Sequence, residues 1–237
     1  FPYLFVLVIR RHPTSTLFPY TTLFRSVAVR NSTHYGAACY YPLKAIEQGC
    51  FGITCTNARP SIAPTWGIEN MLGTNPLVFG FPTDEEFPFM LDCATSVTQR
   101  GKIELYERLG KELPDGWVIG EDGRYRHDTK QVLVDLNRGK AALTPLGGLG
   151  ELTAGYKGFG YSMVVEILSS ALSDADFLKK LSGKDRDGNS VPILLGHFFM
   201  AIDISRFIPL ERFKKIAGTI CRDIDRKSTR LNSSHVS

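Results

Sequence analysis

Three stretches of this chain carry side chains suited to chemistry. In Asn31-Ser32-Thr33-His34-Tyr35-Gly36, His34 stands where a strand gives way to a helix. Histidine titrates nearest neutral pH, and the small Gly36 lets a ligand approach the backbone, so His34 is a candidate proton donor and acceptor. From position alone, a structural or solvated histidine is the commoner outcome. In Met90-Leu91-Asp92-Cys93-Ala94-Thr95-Ser96, Asp92 closes an apolar strand among small residues. Such an acid can accept a ribose hydroxyl, orient a histidine or cap a helix, and the local sequence favours the cap. The glycine-dense run from Gly147 to Gly160 can cradle phosphates, with Lys157 as a fixed cation before a helix. It is neither a Walker loop nor a G-x-G-x-x-G fingerprint, and a plain turn is the alternative. Of the other histidines outside the chain ends, His127 in its charged loop is expected to be solvated and His197 to serve packing or backbone positioning. No Gly-x-Ser-x-Gly elbow or paired-carboxylate signature supports a hydrolase. The five cysteines show no CxxC pair and no clustering with histidine, which predicts unpaired buried thiols, a reducing compartment and no metal site.

Positioning these groups requires a mixed fold. Val27-Ala28-Val29 reads as a strand, followed by a helix from about Tyr35 to Gln48, capped by Ser32 or Thr33, kinked at Pro42 and closed by Gly49. Phe51 to Thr56, Leu77 to Phe81, Phe89 to Leu91 and Phe198 to Ile204 read as strands. Lys102 to Leu109 reads as a short helix, and Trp117 to Asp128 as a turn-rich excursion. From Tyr161 to Leu172 the apolar residues Met163, Val164, Ile167, Leu168, Ala171 and Leu172 recur at helical spacing, predicting that this face is core. Leu210 to Ile224 reads as a final amphipathic helix. Strands and helices interleave without a clean βαβ rhythm, so the class is α/β or α+β with no parallel sheet assigned.

The 237 residues, 43% hydrophobic with a formal charge of +4, exclude a disordered tail, a collagen and a multi-span membrane protein. The charge is unevenly placed. Thr16 to Ser26 and Asp225 to His235 each back-translate, codon by codon, to a sequencing adapter, and the upstream match weakens at Val8, His12 and Thr14. A natural leader is the alternative, but its apolar stretch precedes Arg10-Arg11, the reverse of a secretory signal. Residues 1–26 and 225–237 are therefore expected to be non-native, leaving 27–224 as the catalytic and cofactor-binding domain. That stretch holds 22 basic and 23 acidic residues, which removes any argument for nucleic acid.

Taken in order, Asn31 to Gly36, Gly73-Thr74-Asn75-Pro76, Leu91 to Ser96, Leu113-Pro114-Asp115-Gly116-Trp117, Pro145-Leu146-Gly147-Gly148 and Gly155 to Gly160 resemble the type 2 malate/L-lactate dehydrogenase family. The resemblance implies a non-Rossmann fold with a largely antiparallel sheet and flanking helices. It assigns His34 as catalytic acid/base, places Asp92, Cys93 and Ala94 against the dinucleotide, and gives Lys157 and Gly158 to the cofactor as well. It implies NAD or NADP as cofactor, a small 2-hydroxy or 2-keto acid of malate, lactate or sulfolactate type as substrate, and a cytoplasmic homodimer without nucleic-acid or membrane partners. Family members begin with a helical segment whose Arg and second His bind the substrate carboxylate. The adapter-like run stands there instead, so this chain is expected to be inactive or nearly so. A non-catalytic module binding a nucleotide or partner is the alternative reading.

Overall fold

The computed structural model describes residues 5–8 and 23–233. In chain order the elements are β1 (Phe5–Val8), β2 (Phe24–Ser32), α1 (Tyr40–Ile46), β3 (Cys50–Thr56), β4 (Leu77–Phe81), β5 (Phe89–Cys93), α2 (Arg100–Arg108), β6 (Val118–Gly120), α3 (Thr129–Arg138), β7 (Ala141–Leu143), α4 (Gly155–Ser170), β8 (Leu195–Asp203) and α5 (Leu210–Ser233). Six strands form one sheet in the order β1-β2-β8-β3-β4-β5, and β6 pairs with β7 apart from it. Every strand pairing is antiparallel, as the family resemblance implies. β2 runs across position 27, and α5 runs across position 224.

The two faces of the sheet take different helices because side chains alternate along β3. Gly52 of β3 and its cross-strand partner Gly80 lie under α1, where a Cβ on Gly52 would come within 2.6 Å of the Pro42 Cα. Lacking that atom, the sheet lets α1 lie directly on its backbone. On the opposite face Cys55 and Phe198 pack with Val165 of α4 in a buried cluster. A second core, built on Ile62, Leu72, Ile103, Val118, Val132 and Leu143, joins α2, α3 and the β6–β7 pair.

The structure departs from the sequence reading at four places. The helix expected from Tyr35 begins only at Tyr40, with Cys39 and not Ser32 or Thr33 at its N-cap position. Proline is accommodated in a first helical turn but not in an interior, so the helix starts just before Pro42 instead of kinking around it. The sequence reading assigns no element to 129–143, yet α3 and β7 form there. Asp128 caps α3 by accepting from the Gln131 N–H at 3.1 Å, and left-handed Gly139 closes it. α4 begins at Gly155, not Tyr161, and its apolar stripe is not its buried face. Val164 and Ile167 are 49% and 53% exposed, whereas Gly158, Ser162, Val165, Glu166 and Ser169 are buried. Small and hydrogen-bonding residues let this helix approach the backbone beneath it, and hydrophobicity alone does not reveal that face. Finally, of the five unpaired cysteines only Cys55 is fully buried.

Candidate active site

Strand register gathers residues far apart in sequence at one end of the large sheet. Ser32 pairs with Leu195, Thr56 with His197, Cys55 with Leu77, and Leu77 with Cys93. The segments leaving those ends, His34 to Ala38, Thr56 to Ala58, Thr74 to Pro76 and Asp92 to Ala94, line one wall of a cleft of about 670 Å³. The facing wall comes from the second core: Ser96 to Gln99, Lys102 on α2, Trp117 and Leu146. His34, Asp92, Cys93 and Ala94 are thus brought together.

His34 is exposed at the rim, and its Nδ1 accepts the Gly36 N–H at 3.1 Å. Beneath it His197 is 2% exposed, its ring stacked on Tyr35 with centroids 4.5 Å apart. Burial is the main force holding the His197 pKa down at about 4, so the ring is neutral at neutral pH and carries one proton. The Thr33 carbonyl, 3.1 Å from Nε2, can only accept, which places the proton on Nε2 and leaves Nδ1 without one, 2.7 Å from a Thr56 hydroxyl that also has the Asn57 and Gly196 carbonyls in reach. His197 thereby holds the Thr33 carbonyl before His34 and stacks on the Tyr35 ring after it, the packing and backbone-positioning role expected for it. The unfolded chain takes up this proton near pH 6.5 and the folded chain only near 4, so the associated stability is full above 6.5 and lost as pH falls to 4. The loss is expected to reach about 3 kcal/mol. Denaturant titrations across that window should show a smaller acid loss in His197→Gln; equal losses would show that another group governs it.

Asp92 is a cap, but not of the helix that follows it. It lies within β5, and its Oδ2 accepts the N–H of Cys39, at the start of α1 and 53 positions away in sequence, at 2.9 Å. Burial and a hydrogen bond to this same carboxylate push the Cys39 thiol up. Burial and the adjacent Asp92 charge push the Cys93 thiol up, so Cys93 faces the cleft as a neutral thiol. His127 is exposed, as expected, with Nδ1 2.9 Å from the Leu113 carbonyl and Nε2 3.4 Å from Asp115.

Lys157 and Gly158 are outside the wall. Lys157 is exposed on the first turn of α4 with its Nζ 5.9 Å from the Tyr156 ring centre. Gly158 is buried where α4 crosses the backbone of Leu146, and a Cβ there would overlap the Leu146 carbonyl. Gly158→Ala is expected to cost about 1–3 kcal/mol by forcing α4 away from Leu146, itself a cleft residue. An unchanged melting temperature would refute that close approach.

The cleft also holds residues the sequence reading did not single out. Lys102 is its cation. Ser96 and Thr98 are 5% and 7% exposed, and their hydroxyl oxygens have no protein partner. Behind the wall stands Asn75, fully buried. Its Oδ1 accepts the Ala58 N–H, its carbonyl accepts the Thr95 hydroxyl, and its Nδ2 donates to Glu166 Oε2 at 2.8 Å. Glu166, 4% exposed, also accepts the Leu178 N–H at 2.8 Å, and burial raises its pKa. Glycine-turn chemistry marked Gly73 to Pro76 in the sequence, but nothing in spacing alone pairs Asn75 with a glutamate 91 positions later.

These groups suit a dinucleotide. Unpartnered buried hydroxyls, the Asp92 carboxylate and the Lys102 ammonium are of the kinds that meet ribose hydroxyls and phosphates, and the N-terminus of α2 lies beside them.

The family model described as malate/L-lactate dehydrogenase matches residues 24–237. The chain is 48% identical over 204 residues to malate dehydrogenase of Pyrococcus horikoshii, covering 86% of this chain and 53% of that protein. It is 34% identical over 198 residues to L-sulfolactate dehydrogenase of Methanocaldococcus jannaschii, covering 84% and 53%. The crystal structure of malate dehydrogenase from Entamoeba histolytica superposes with a TM-score of 0.80 at 45% identity, covering 85% of this chain and 55% of that one. The chain spans about half the length of these relatives. With its antiparallel sheet, and with sequence and architecture both matched over most of its length, this chain belongs to the malate/L-lactate dehydrogenase family.

Proposed function

We propose that residues 27–224 carry the cofactor cleft and acid/base histidine of an NAD(P)-dependent oxidoreductase that interconverts small 2-hydroxy and 2-keto acids. The observation that carries this reading is His34 standing over a cleft whose wall offers Asp92, Ser96, Thr98 and Lys102 to a dinucleotide. When bound, the nicotinamide supplies or accepts the hydride at the substrate's C2. Asp92 takes a ribose hydroxyl, Cys93 and Ala94 shape the wall, and Lys102 neutralises phosphate. Lys157 would approach the cofactor from outside that wall.

His34 handles the proton. With Nδ1 accepting the Gly36 N–H, neutral His34 carries its proton on Nε2 and is set to donate a hydrogen bond to a keto oxygen. Taking a hydroxyl proton at Nε2 requires Nδ1 to release Gly36 and hold the ring proton, a rotation open to an exposed side chain. Activity of this chain by itself is expected to be impaired, because the chain spans only about half the length of the relatives. The reading includes a cytoplasmic homodimer. Among the described residues no helix is long and apolar enough to cross a membrane, and the exposed Val164 and Ile167 on α4 are of the kind association covers.

The test is titration of the 237-residue chain with NADH and with NADPH, following nicotinamide emission and quenching of Trp117 in the cleft. Saturable binding of one or both is expected; a flat response to both overturns the reading.

A further inference from the structure

The peptide group between Tyr35 and Gly36 is held at both ends. Its N–H donates to Nδ1 of His34 at 3.1 Å, and its carbonyl accepts the hydroxyl of Tyr41 at 2.8 Å. Both hydrogen bonds therefore act on one rigid plane. Gly36 itself does little to orient that plane, because it takes φ +85° in the left-handed region with open space where a Cβ would stand. Tyr41 supplies the constraint. It is half-buried on the first turn of α1, with its ring stacked on Tyr35 at 4.9 Å between centroids, and Tyr35 stacks on His197 at 4.5 Å. Burial raises the Tyr41 phenol, which stays a protonated donor at neutral pH. The start of α1 is anchored in turn, since the Cys39 N–H donates to Asp92 at 2.9 Å.

We propose that Tyr41 is a positioning residue that sets the tautomer of His34 through the Tyr35–Gly36 peptide. This rests on the dehydrogenase reading above, in which His34 exchanges a proton with the substrate oxygen. A ring nitrogen that accepts an N–H carries no proton, so the neutral imidazole keeps its proton on Nε2. By fixing the peptide, Tyr41 holds His34 as a hydrogen-bond donor, the form that meets a keto oxygen. A donor at the carbonyl also polarises the N–H at the other end of the same group. Without the hydroxyl the peptide is free to turn, Nδ1 loses its donor, and both tautomers open to the ring. His197 acts on Thr33, before His34, whereas Tyr41 acts on the peptide that addresses the ring itself. Through Cys39 the same first turn of α1 ties this arrangement to Asp92 in the cofactor wall.

The test is long-range ¹H–¹⁵N NMR of the 237-residue chain labelled at its histidine side chains, recorded at about pH 8, above the ordinary imidazole range. His34→Gln identifies the His34 signals by their loss. Wild type is expected to show His34 as the Nε2–H tautomer. In Tyr41→Phe, which keeps the ring and its stack, the two His34 nitrogen resonances should move toward each other as the tautomers mix. Far-UV circular dichroism should match wild type, and NADH affinity should stay within about twofold. Replacing Tyr41 by 4-aminophenylalanine returns a donor and should restore the wild-type spectrum. Tyr40→Phe, which removes an exposed hydroxyl on the same turn, should leave His34 unmoved. An unchanged His34 spectrum in Tyr41→Phe, mixed tautomers in wild type, or failure of the rescue overturns the proposal. So does loss of the fold in Tyr41→Phe, or a His197 signal that moves as far as that of His34, either of which would give Tyr41 to packing alone. Wild type that keeps the Tyr41-dependent tautomer but binds neither NADH nor NADPH would sink the dehydrogenase reading and leave Tyr41 as the residue that sets the ring.

Discussion

His34→Ala is expected to lower kcat by about 10²–10⁴-fold, the usual contribution of a positioned acid/base group, while NADH affinity stays within about twofold. The asymmetry follows from geometry. The groups offered to the dinucleotide, Asp92, Ser96, Thr98 and Lys102, lie on strand β5, its following loop and α2, and none of them hydrogen-bonds His34. Among the described residues the imidazole's one hydrogen bond is local, to the Gly36 N–H, and its backbone is fixed from below by His197 through Thr33. Removing the ring therefore takes away the proton without dismantling the cleft. The measurement is steady-state turnover and cofactor titration of wild type and variant, with the Arg/His-bearing N-terminal segment of the family restored. Comparable turnover in the variant would remove His34 from its role. A parallel collapse of cofactor affinity would instead make His34 part of the binding wall.

The second large effect is on stability. Glu166→Ala should cost about 3–5 kcal/mol, because it strands two donors in the core and leaves a space. The Leu178 N–H loses its acceptor, and the Asn75 amide keeps only the Ser162 carbonyl at 3.2 Å. Asn75 in turn holds Ala58 and Thr95, so the cleft wall should loosen with the core and cofactor affinity should fall in the folded variant. The pH dependence has a definite sign. Burial raises the Glu166 pKa above its ordinary 4.5, so its titration stabilises the fold fully below 4.5, and that contribution is lost as pH rises through the folded value. The stability gap between wild type and Glu166→Ala is expected to be wider in acid than at neutral pH. Urea unfolding at several pH values measures it; a gap under 1 kcal/mol, or one that widens with rising pH, would contradict this account.

These two predictions differ in how much of their basis is legible in the chain itself. His34 is legible: a histidine after a short strand, followed by glycine, belongs to a motif that six ordered stretches reinforce. Its partner at the opposite wall, Lys102, reads in the sequence only as the first residue of a helix. Glu166 is hidden more deeply, inside a run whose apolar neighbours suggest a different buried face. Val164 and Ile167 follow the helical period as well as any core residue, yet they face outward. The helix turns its small and hydrogen-bonding side toward the sheet because Gly158 must cross Leu146 and Glu166 must meet Asn75.

Asp92 makes the same point about function. The sequence supports a capping acid, and Asp92 does cap a helix, but the one it caps is α1, which precedes it in the chain and meets it only through the fold.

By itself the sequence determined the family, the strands β3, β4, β5 and β8, the acid/base candidate and the acidic strand end, since each rests on local pattern or on motif order. Tertiary structure decided where α1 and α4 begin, which face of α4 is buried, and which lysine reaches the cleft. The reason is physical. Periodicity and motifs report what a segment prefers along its own axis, whereas cleft walls, buried hydrogen-bond acceptors and close backbone crossings are set by antiparallel register between strands whose paired residues lie as many as 178 positions apart in the chain, a separation no local pattern encodes.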